Sequence, residues 1–420
     1  MNAGSDDQTG FVAENPFQLP AYPYDQLGAL KELADSHPGG GIDLSVGTPC
    51  DPPPQFVVAA LGSSGAERGY PSSVGSPAFK EAASGWVQRR FGVALEDDEL
   101  AACVGTKEFV ASAAWLLRLR RPDRDTVLYP AVSYPTYAFG AKVAGCRAVG
   151  VPETAGGKMD LSAISTSDAA RALVLWVNTP SNPTGANTDL ASAAEWARAY
   201  EVPVFSDECY AEFTWSTWPP PTILQHGRVG LVALHSLSKR SNLAGIRAGF
   251  YAGDRDLVGY LSELRKHAGL MVPGPVQAAA AAAFGEDEHV YKQREVYSKR
   301  LVRLAEIFAS VGLSAPTPGG GFYLWVRSQP TSALSGAPSV RKTGASTETQ
   351  RHDVAGYDGG WRLAEELARC AGMIVSPGSF YGEAGADFVR VAAVQPDDRI
   401  ELAAKRLAEN RSALELHISN

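Results

Sequence analysis

Two spacings of apolar residues alternate along the middle of the chain. Short runs rich in valine, leucine and isoleucine recur between segments whose apolar residues lie three or four positions apart. The runs are typical of buried strands and the segments of amphipathic helices, so their alternation predicts a mostly parallel α/β sheet. The strands are predicted at residues 126–129, 147–151, 172–177, 202–206, 229–234 and 248–253, and the helices at 79–91, 109–118, 137–144 and 190–200.

The two ends of the chain predict a second, smaller α+β domain. Its predicted helices are at residues 24–36, 289–310 and 361–370 and near the end of the chain, and its strands at 42–46, 322–326, 373–375 and 388–392. An alanine-rich helix at 276–284 closes the central region. We therefore expect an arm at 1–22, a small domain at 23–50 and 288–420, and a large domain at 51–287.

Residues 328–357 differ from the rest of the small domain. They are rich in Ser, Thr, Ala, Gly and Gln and contain almost no large apolar residue. Such a composition cannot form a packed core, so it predicts a flexible surface insertion.

Composition limits the class of protein. A net charge of −8 disfavours nucleic acid or an anionic membrane as the main partner. Five scattered cysteines without a CxxC pair argue against a disulfide framework and a structural zinc site, so no metal is expected. The first ten residues lack the features of a signal peptide, and no apolar run reaches the roughly 18 residues needed to span a bilayer. We expect a cytoplasmic protein.

Polar residues stand where three predicted strands end, at Asn178, at Asp207 and in the stretch 235–239, which includes Lys239. Chemistry in parallel sheets is located at this edge. Lys239 is either a solvated loop lysine or an amine that forms a Schiff base, with Ser236, Ser238 and Arg247 as phosphate donors. Asp207 is either a helix cap or the partner of a buried cation. The Asn-Pro-Thr-Gly stretch at 182–185 suits a tight turn with or without a function.

The order of these motifs resembles that of class I/II aminotransferases of pyridoxal phosphate fold type I. The motifs are Asn-Pro-Thr-Gly at 182–185, Asp-Glu-Cys-Tyr at 207–210 and Ser-Leu-Ser-Lys at 236–239, with Arg247 eight residues further on. Agreement extends from about residue 24 to 405, apart from 328–357. The resemblance implies a mostly parallel seven-stranded sheet flanked by helices, a smaller α+β domain, and pyridoxal 5′-phosphate as cofactor.

The resemblance also implies a role for each motif residue. Lys239 would hold the cofactor covalently and then move a proton, and Asp207 would pair with the pyridine nitrogen. Tyr210 and Asn182 would donate to the ring 3′-oxygen, so Tyr210 would be catalytic together with Lys239 and Asp207, and Asn182 would also contact the substrate. The phosphate would be held by Ser236, Ser238, Arg247 and the backbone amides of Thr106 and Lys107.

Four further positions match the family pattern. Tyr134 would stack on the pyridine ring, although it could also be a core tyrosine. Tyr70 would reach the phosphate of the partner subunit, which implies a homodimer with shared sites. Arg390 would clamp the substrate α-carboxylate, unless it is merely a surface residue of its strand, and Gly47 would offer that carboxylate a backbone contact.

Within the class, the chain is most similar to N-succinyldiaminopimelate aminotransferases. The stretches that carry this similarity are residues 44–52, 104–108, 235–249, 321–325 and 376–382. They imply amino transfer from L-glutamate to N-succinyl-2-amino-6-oxopimelate in the diaminopimelate/lysine pathway. An acidic acceptor needs a second cation, for which the candidates are Lys107, Arg240 and residues 265–267.

Other functions stay open at the level of sequence. An aminotransferase for another keto acid, of aspartate, alanine, aromatic or 2-aminoadipate type, would share these motifs. So would a pyridoxal phosphate lyase or an enzyme like aminocyclopropane-carboxylate synthase. A transcription regulator that senses the cofactor is disfavoured, because only about 20 residues precede the fold. No G-x-G-x-x-G follows a strand, which argues against a nicotinamide site.

Overall fold

A computed structural model describes residues 17–154, 157–328, 358–412 and 414. The strands are β1 (Ile42–Asp43), β2 (Leu100–Cys103), β3 (Thr126–Pro130), β4 (Arg147–Val151), β5 (Ala172–Asn178), β6 (Val204–Asp207), β7 (Leu231–Ser236), β8 (Gly249–Gly253), β9 (Tyr323–Arg327), β10 (Met373–Ile374), β11 (Ser376–Pro377) and β12 (Phe388–Ala392).

The helices lie mostly between these strands. They are α1 (Gly28–Asp35), α2 (Gln55–Ser63), α3 (Pro77–Phe91), α4 (Thr106–Arg120), α5 (Thr136–Val143), α6 (Thr166–Arg171), α7 (Leu190–Tyr200), α8 (Leu237–Arg240), α9 (Arg255–His267), α10 (Gly274–Phe284), α11 (Glu288–Ser310), α12 (Gly359–Ala371) and α13 (Asp397–Glu409). Across the described ranges, no helix is long and apolar enough to cross a membrane.

Seven strands form the central sheet, in the order β2-β8-β7-β6-β5-β3-β4. All neighbouring pairs are parallel except those of β8, which is antiparallel to both β2 and β7. Every residue of β5, β6 and β7 is buried, as expected for strands covered by helices on both faces. The predicted mostly parallel α/β sheet is therefore confirmed.

Two smaller sheets are built from the ends of the chain. β11, β12 and β9 form an antiparallel sheet, and β1 pairs in parallel with β10. Residues of α1, α11, α12 and α13 share one apolar core cluster with these strands. The division into an arm, a large domain and a small domain stays a prediction. Residues 1–16 of the predicted arm and 329–357 of the predicted insertion lie outside the described residues.

Six elements are absent from the predicted set, namely β2, β11, α2, α6, α8 and α9. β2 reads Leu-Ala-Ala-Cys, which lacks the β-branched residues that mark a strand, and it forms because β8 pairs with it. The strand predicted at 42–46 is shorter than expected and ends at Asp43. The helix predicted at 109–118 instead begins at Thr106, which places Thr106 and Lys107 in its first turn.

The register of the central strands brings the predicted strand-end residues together. Asn178 at the end of β5 lies beside Asp207 at the end of β6, and Asp207 pairs with Leu234 of β7. β7 then runs through Ser236 into the short helix α8, which carries Lys239. The carboxyl edge of the sheet is therefore where these side chains converge.

Candidate active site

A cavity of about 310 Å³ opens at the carboxyl edge of the central sheet. All of the predicted site residues except Tyr70 line it: Gly47, Thr106, Lys107, Tyr134, Asn182, Asp207, Tyr210, Ser236, Ser238, Lys239, Arg247 and Arg390. They come from both ends of the chain and from five strands or their following turns. We call this cavity the catalytic pocket.

Lys239 projects into the catalytic pocket from α8. The Ser236 hydroxyl caps this short helix by accepting from the Ser238 amide at 3.1 Å. The Lys239 Nζ donates to the Gly47 carbonyl. Burial lowers the pKa of Lys239 to about 8, and the nearby Arg390 and Arg247 act in the same direction. An amine with such a pKa loses its proton far more readily than a surface lysine.

Asp207 lies on the floor of the pocket. The Tyr137 hydroxyl donates to its Oδ2 at 2.9 Å, and the Cys209 amide donates to its Oδ1 at 3.2 Å. Burial raises the pKa of Asp207, whereas these hydrogen bonds favour the carboxylate. No described cation forms an ion pair with Asp207, so the described part of the chain supplies no positive partner for it.

Tyr137 is a site residue that the sequence did not single out. It lies in the first turn of α5, three residues after Tyr134, and is almost fully buried. Helical spacing gave no signal, because Tyr134 precedes α5, which begins at Thr136. The contact with Asp207 was not predictable, because it joins residues 70 positions apart.

A cradle for an anion forms where β2 turns into α4. Gly105 has a φ of +74° and precedes Thr106 and Lys107, whose amides belong to the unpaired first turn of a 15-residue helix. A Cβ built on Gly105 would lie 2.3 Å from a guanidinium nitrogen of Arg247. Arg247 in turn donates to the Ser238 hydroxyl at 3.3 Å. Backbone amides, a guanidinium and a hydroxyl thus meet at one point.

Arg390 is 1% exposed, so it is not a surface residue of β12. It donates to Asn182 Oδ1 at 2.7 Å and to the Ser45 carbonyl. Its guanidinium lies over the rings of Tyr323 and Tyr381, at 4.1 and 4.9 Å from their centres. This packing fixes the plane of the guanidinium, as a bidentate carboxylate site requires.

Lys107 provides a second cation at the wall of the pocket. Its Nζ donates to the Tyr22 hydroxyl at 3.3 Å and lies 4.8 Å from the centre of the Tyr22 ring. It also lies 5.9 Å from the ring of Tyr134, which shows that Tyr134 faces the pocket and not only the core. Tyr22 was not a predicted site residue.

The other predicted partners for an acidic side chain were wrong. Arg240 is 2% exposed and bound in ion pairs with Glu212 and Asp287. Arg265 is equally buried and pairs with Glu108 at 2.6 Å. Buried arginines in such pairs hold elements together and are unavailable to a substrate. Lys266 and His267 are exposed on α9 and do not line the catalytic pocket.

Two predicted tyrosines, Tyr210 and Tyr70, differ in burial. The hydroxyls of Tyr210 and Tyr323 lie 2.7 Å apart, which positions Tyr210 against the small sheet. Tyr70 is 99% exposed and outside the pocket, so its predicted role across a subunit interface stays a prediction. Further lining residues that had been given no role include Tyr24, Thr48, Cys209 and Tyr323, and Asn178, which the sequence singled out only as a polar strand-end residue, lines the pocket as well.

These side chains fit pyridoxal 5′-phosphate. The cradle at Gly105 and Arg247 suits a phosphate, and the lysine with the lowered pKa suits a covalent attachment. Asp207, a buried carboxylate without a described cation beside it, suits a protonated ring nitrogen. Each of these three requirements is met by a different element at the same edge of the sheet.

Comparison with known proteins agrees with this geometry. The model of the family "Aminotransferase class I and II" matches residues 40–407. The chain is 37% identical to the 4-dedimethylamino-4-oxo-anhydrotetracycline transaminase OxyQ of Streptomyces rimosus, across 93% of this chain and 99% of that protein. It is 32% identical to an LL-diaminopimelate aminotransferase of Desulforudis audaxviator, across 93% and 95% of the two chains.

Solved structures show the same fold. A probable N-succinyldiaminopimelate aminotransferase of Thermus thermophilus superposes with a TM-score of 0.76 at 30% identity, and the match covers 92% of this chain and 99% of that one. The family match spans most of the chain, and the relatives are aligned over nearly their whole length. The protein therefore belongs to the class I and II aminotransferases, which are transaminases that depend on pyridoxal 5′-phosphate.

Proposed function

We propose that the enzyme transfers an amino group between L-glutamate and an acidic 2-oxo acid. The observation that carries this proposal is the presence of two cations, Arg390 and Lys107, in one catalytic pocket. Arg390 is held for an α-carboxylate by Asn182 and two tyrosine rings. Lys107 belongs to another element and can bind a second acidic group through a charge-assisted hydrogen bond.

For the physiological acceptor we propose N-succinyl-2-amino-6-oxopimelate in the diaminopimelate/lysine pathway. The support is the name of the Thermus thermophilus relative, together with the diaminopimelate substrate in the name of the Desulforudis relative. We also propose that the enzyme works in the cytoplasm as a homodimer in which Tyr70 contacts the cofactor phosphate of the partner subunit.

The roles of the chain's own groups follow from their contacts. Pyridoxal phosphate, when bound, supplies withdrawal of electrons from the α-carbon of the substrate. Lys239 holds and moves the proton at its Nζ, since a pKa of about 8 leaves part of the amine uncharged near neutral pH. Asp207 would hold the ring nitrogen, and Tyr137 keeps the carboxylate oriented toward the pocket.

Substrate orientation rests on Arg390 and its partners. Because Asn182 Oδ1 accepts from Arg390, the Asn182 side-chain NH₂ is left to donate into the pocket. The Gly47 carbonyl accepts a hydrogen bond from the Lys239 amine. A Cβ at Gly47 would collide with the Tyr323 hydroxyl. Gly47 therefore keeps the backbone close to both the lysine and the substrate carboxylate.

A panel of acceptors tests the proposal. Enzyme that already carries the amino group from L-glutamate should react with N-succinyl-2-amino-6-oxopimelate, 2-oxoadipate and oxaloacetate at higher kcat/KM than with pyruvate. Lys107→Met should lower kcat/KM for the acidic acceptors by about 10- to 100-fold, which is the loss expected for a hydrogen bond to a charged group. It should change kcat/KM for pyruvate little. Stopped-flow absorbance follows each reaction.

Lys266→Met is the matched control, because Lys266 is exposed on α9 and lies outside the pocket. This variant should leave kcat/KM unchanged for all acceptors. Equal rates with acidic and neutral acceptors in the wild-type enzyme would argue against an acidic substrate.

A further inference from the structure

A second, larger cavity adjoins the catalytic pocket. It encloses about 740 Å³, compared with about 310 Å³ for the catalytic pocket. Residues 19–23 near the start of the described chain, the beginning of α5 and residues 379–382 form its walls. We call it the outer cavity. The family roles described above do not use it.

The two cavities share three lining side chains, those of Tyr22, Lys107 and Tyr134. Lys107 is joined to Tyr22 by one hydrogen bond of 3.3 Å and by its position over the ring. Tyr22 is about half exposed and belongs to a segment without helix or strand. The partition therefore consists of side chains, and a rotation of Tyr22 would join the two spaces.

The lining of the outer cavity is mainly apolar. Phe139 of α5, Phe380, Leu19 and several alanine side chains are among the residues that line it. Leu19 is 75% exposed, and Phe380 packs edge-on against Tyr24, with 5.7 Å between the ring centres. Exposed apolar side chains around a concave space of this size are typical of a ligand site.

We propose that the outer cavity is a second substrate subsite, which binds an aliphatic chain or apolar ring that the amino acceptor carries beyond the group at Lys107, such as the methylenes of the succinyl group in the acceptor proposed above. This inference rests on the proposed function, since it assumes that the 2-oxo acid end of the acceptor is held by Arg390. A carboxylate or amide in the middle of the acceptor then meets Lys107. The part beyond Lys107 enters the outer cavity and leaves water.

Two plug variants test the subsite from opposite walls. Ala138 of α5 and Ala21 of the N-terminal segment line the outer cavity but not the catalytic pocket. Ala138→Trp and Ala21→Trp fill the space. Val143→Trp is the control, because Val143 is an exposed residue of the same helix α5 and lines neither cavity.

Binding is measured first, by calorimetry on the enzyme loaded with pyridoxal phosphate. The probes are N-methyl and N-benzyl monoamides of glutaric acid, which keep the carboxylate and the amide but cannot accept an amino group. The benzyl compound should bind the wild-type enzyme at least about tenfold more tightly, because even one methylene in an apolar pocket changes discrimination about 10- to 200-fold. Both plug variants should abolish this gain, whereas Val143→Trp should keep it.

Turnover is measured with the matching γ-amides of 2-oxoglutarate. The benzyl amide should have the higher kcat/KM in the wild-type enzyme, and the plug variants should lose that preference. For the methyl amide, kcat/KM of the plug variants should stay within about threefold of the wild-type value. Equal affinity of the wild-type enzyme for both probes overturns the subsite, as does an equal loss for both probes in the plug variants. Failure of every acceptor to take the amino group would instead overturn the proposed function, because the binding measurement does not depend on turnover.

Discussion

Burial shifts the pKa values of Lys239 and Asp207 in opposite directions within one pocket. It lowers the pKa of the lysine to about 8 and raises that of the aspartate. Both shifts favour the uncharged form, because keeping either side chain ionised without a partner costs free energy. A ring nitrogen that carries a proton and a carbonyl that reacts with an amine are the partners that the cofactor offers.

At the residue scale, the cost of burying a charged Lys239 predicts how stability changes with pH. The lysine has a pKa of 10.5 in the unfolded chain and about 8 in the folded one. The free energy of unfolding is therefore reduced by the whole cost of the buried charge below pH 8, and this reduction disappears as the pH rises toward 10.5. Cofactor-free Lys239→Met should therefore be more stable than the wild type at pH 7, by about 3 kcal/mol. Denaturant unfolding between pH 7 and 10 measures this difference.

The exposed Lys299→Met variant serves as the control and should show no such trend. A difference in the free energy of unfolding between Lys239→Met and wild type that stays constant with pH would contradict the buried amine.

Mass spectrometry after borohydride reduction should also show that the cofactor is attached to the wild-type Lys239 peptide and is lost in the variant.

The turn from β2 into α4 combines several functions in four consecutive residues. Gly105 makes the turn, the amides of Thr106 and Lys107 open the helix, and the Lys107 side chain reaches Tyr22. Glu108 pairs with Arg265 at 2.6 Å and ties α4 to α9. The position of the anion cradle is therefore set by how two helices pack, and not by the loop alone.

At the element scale, Gly105→Ala should weaken binding of pyridoxal phosphate by at least about tenfold, because the added methyl group would collide with Arg247. Gly92→Ala is the control for an added methyl group at a positive φ, since Gly92 has a φ of +69° but open space around the added Cβ. Its backbone strain is smaller than that of Gly105→Ala, because Gly92 has a ψ of 21°, in the left-handed helical region, whereas the ψ of 152° at Gly105 is almost confined to glycine. Equilibrium titration with the cofactor and unfolding experiments separate affinity from stability.

Equal losses of affinity in the Gly105 and Gly92 variants would show that backbone strain, and not the cradle, causes the effect. Normal affinity in Gly105→Ala would exclude this turn as the phosphate site.

In the whole molecule, the catalytic pocket draws residues from the central sheet, the small sheet and the N-terminal segment. Tyr70 is the one predicted cofactor residue that does not reach it, and its ring is almost fully exposed on the single chain. An exposed tyrosine is well placed for a contact made between two chains. This is consistent with the proposed homodimer.

At this scale, mixed dimers test whether Tyr70 acts across the interface. Tyr70→Phe should lower the affinity for pyridoxal phosphate by about 10- to 100-fold, because it removes one hydrogen bond to a charged group. A hybrid of Tyr70→Phe with Lys239→Ala contains one site with an intact Lys239 and a partner chain with an intact Tyr70. Hybrids isolated with two affinity tags should regain normal cofactor affinity at that site.

Hybrids that bind the cofactor no better than the Tyr70→Phe homodimer would contradict a shared site. Hybrids of wild type with Lys239→Ala provide the reference for one fully normal site per dimer.

The sequence by itself determined the α/β class, most element positions and the residues at the strand ends. Alternating apolar spacing is a local signal, and a parallel sheet places its strand ends at one edge whatever the detailed packing. For this reason Asn178, Asp207 and the stretch 235–239, which carries Ser236 and Lys239, were placed at one edge of the sheet without a structure. The order of the motifs also carried the family resemblance and the cofactor.

Only the tertiary structure decided which cations face a substrate. Lys107, Arg240 and Arg265 look alike in sequence, yet one lines the pocket and two are buried in ion pairs. The Tyr137 contact with Asp207 and the Tyr22 contact with Lys107 join residues 70 and 85 positions apart, and the outer cavity lies between segments more distant still. Such contacts depend on how helices pack and strands pair across the whole chain, and local spacing carries no record of that packing.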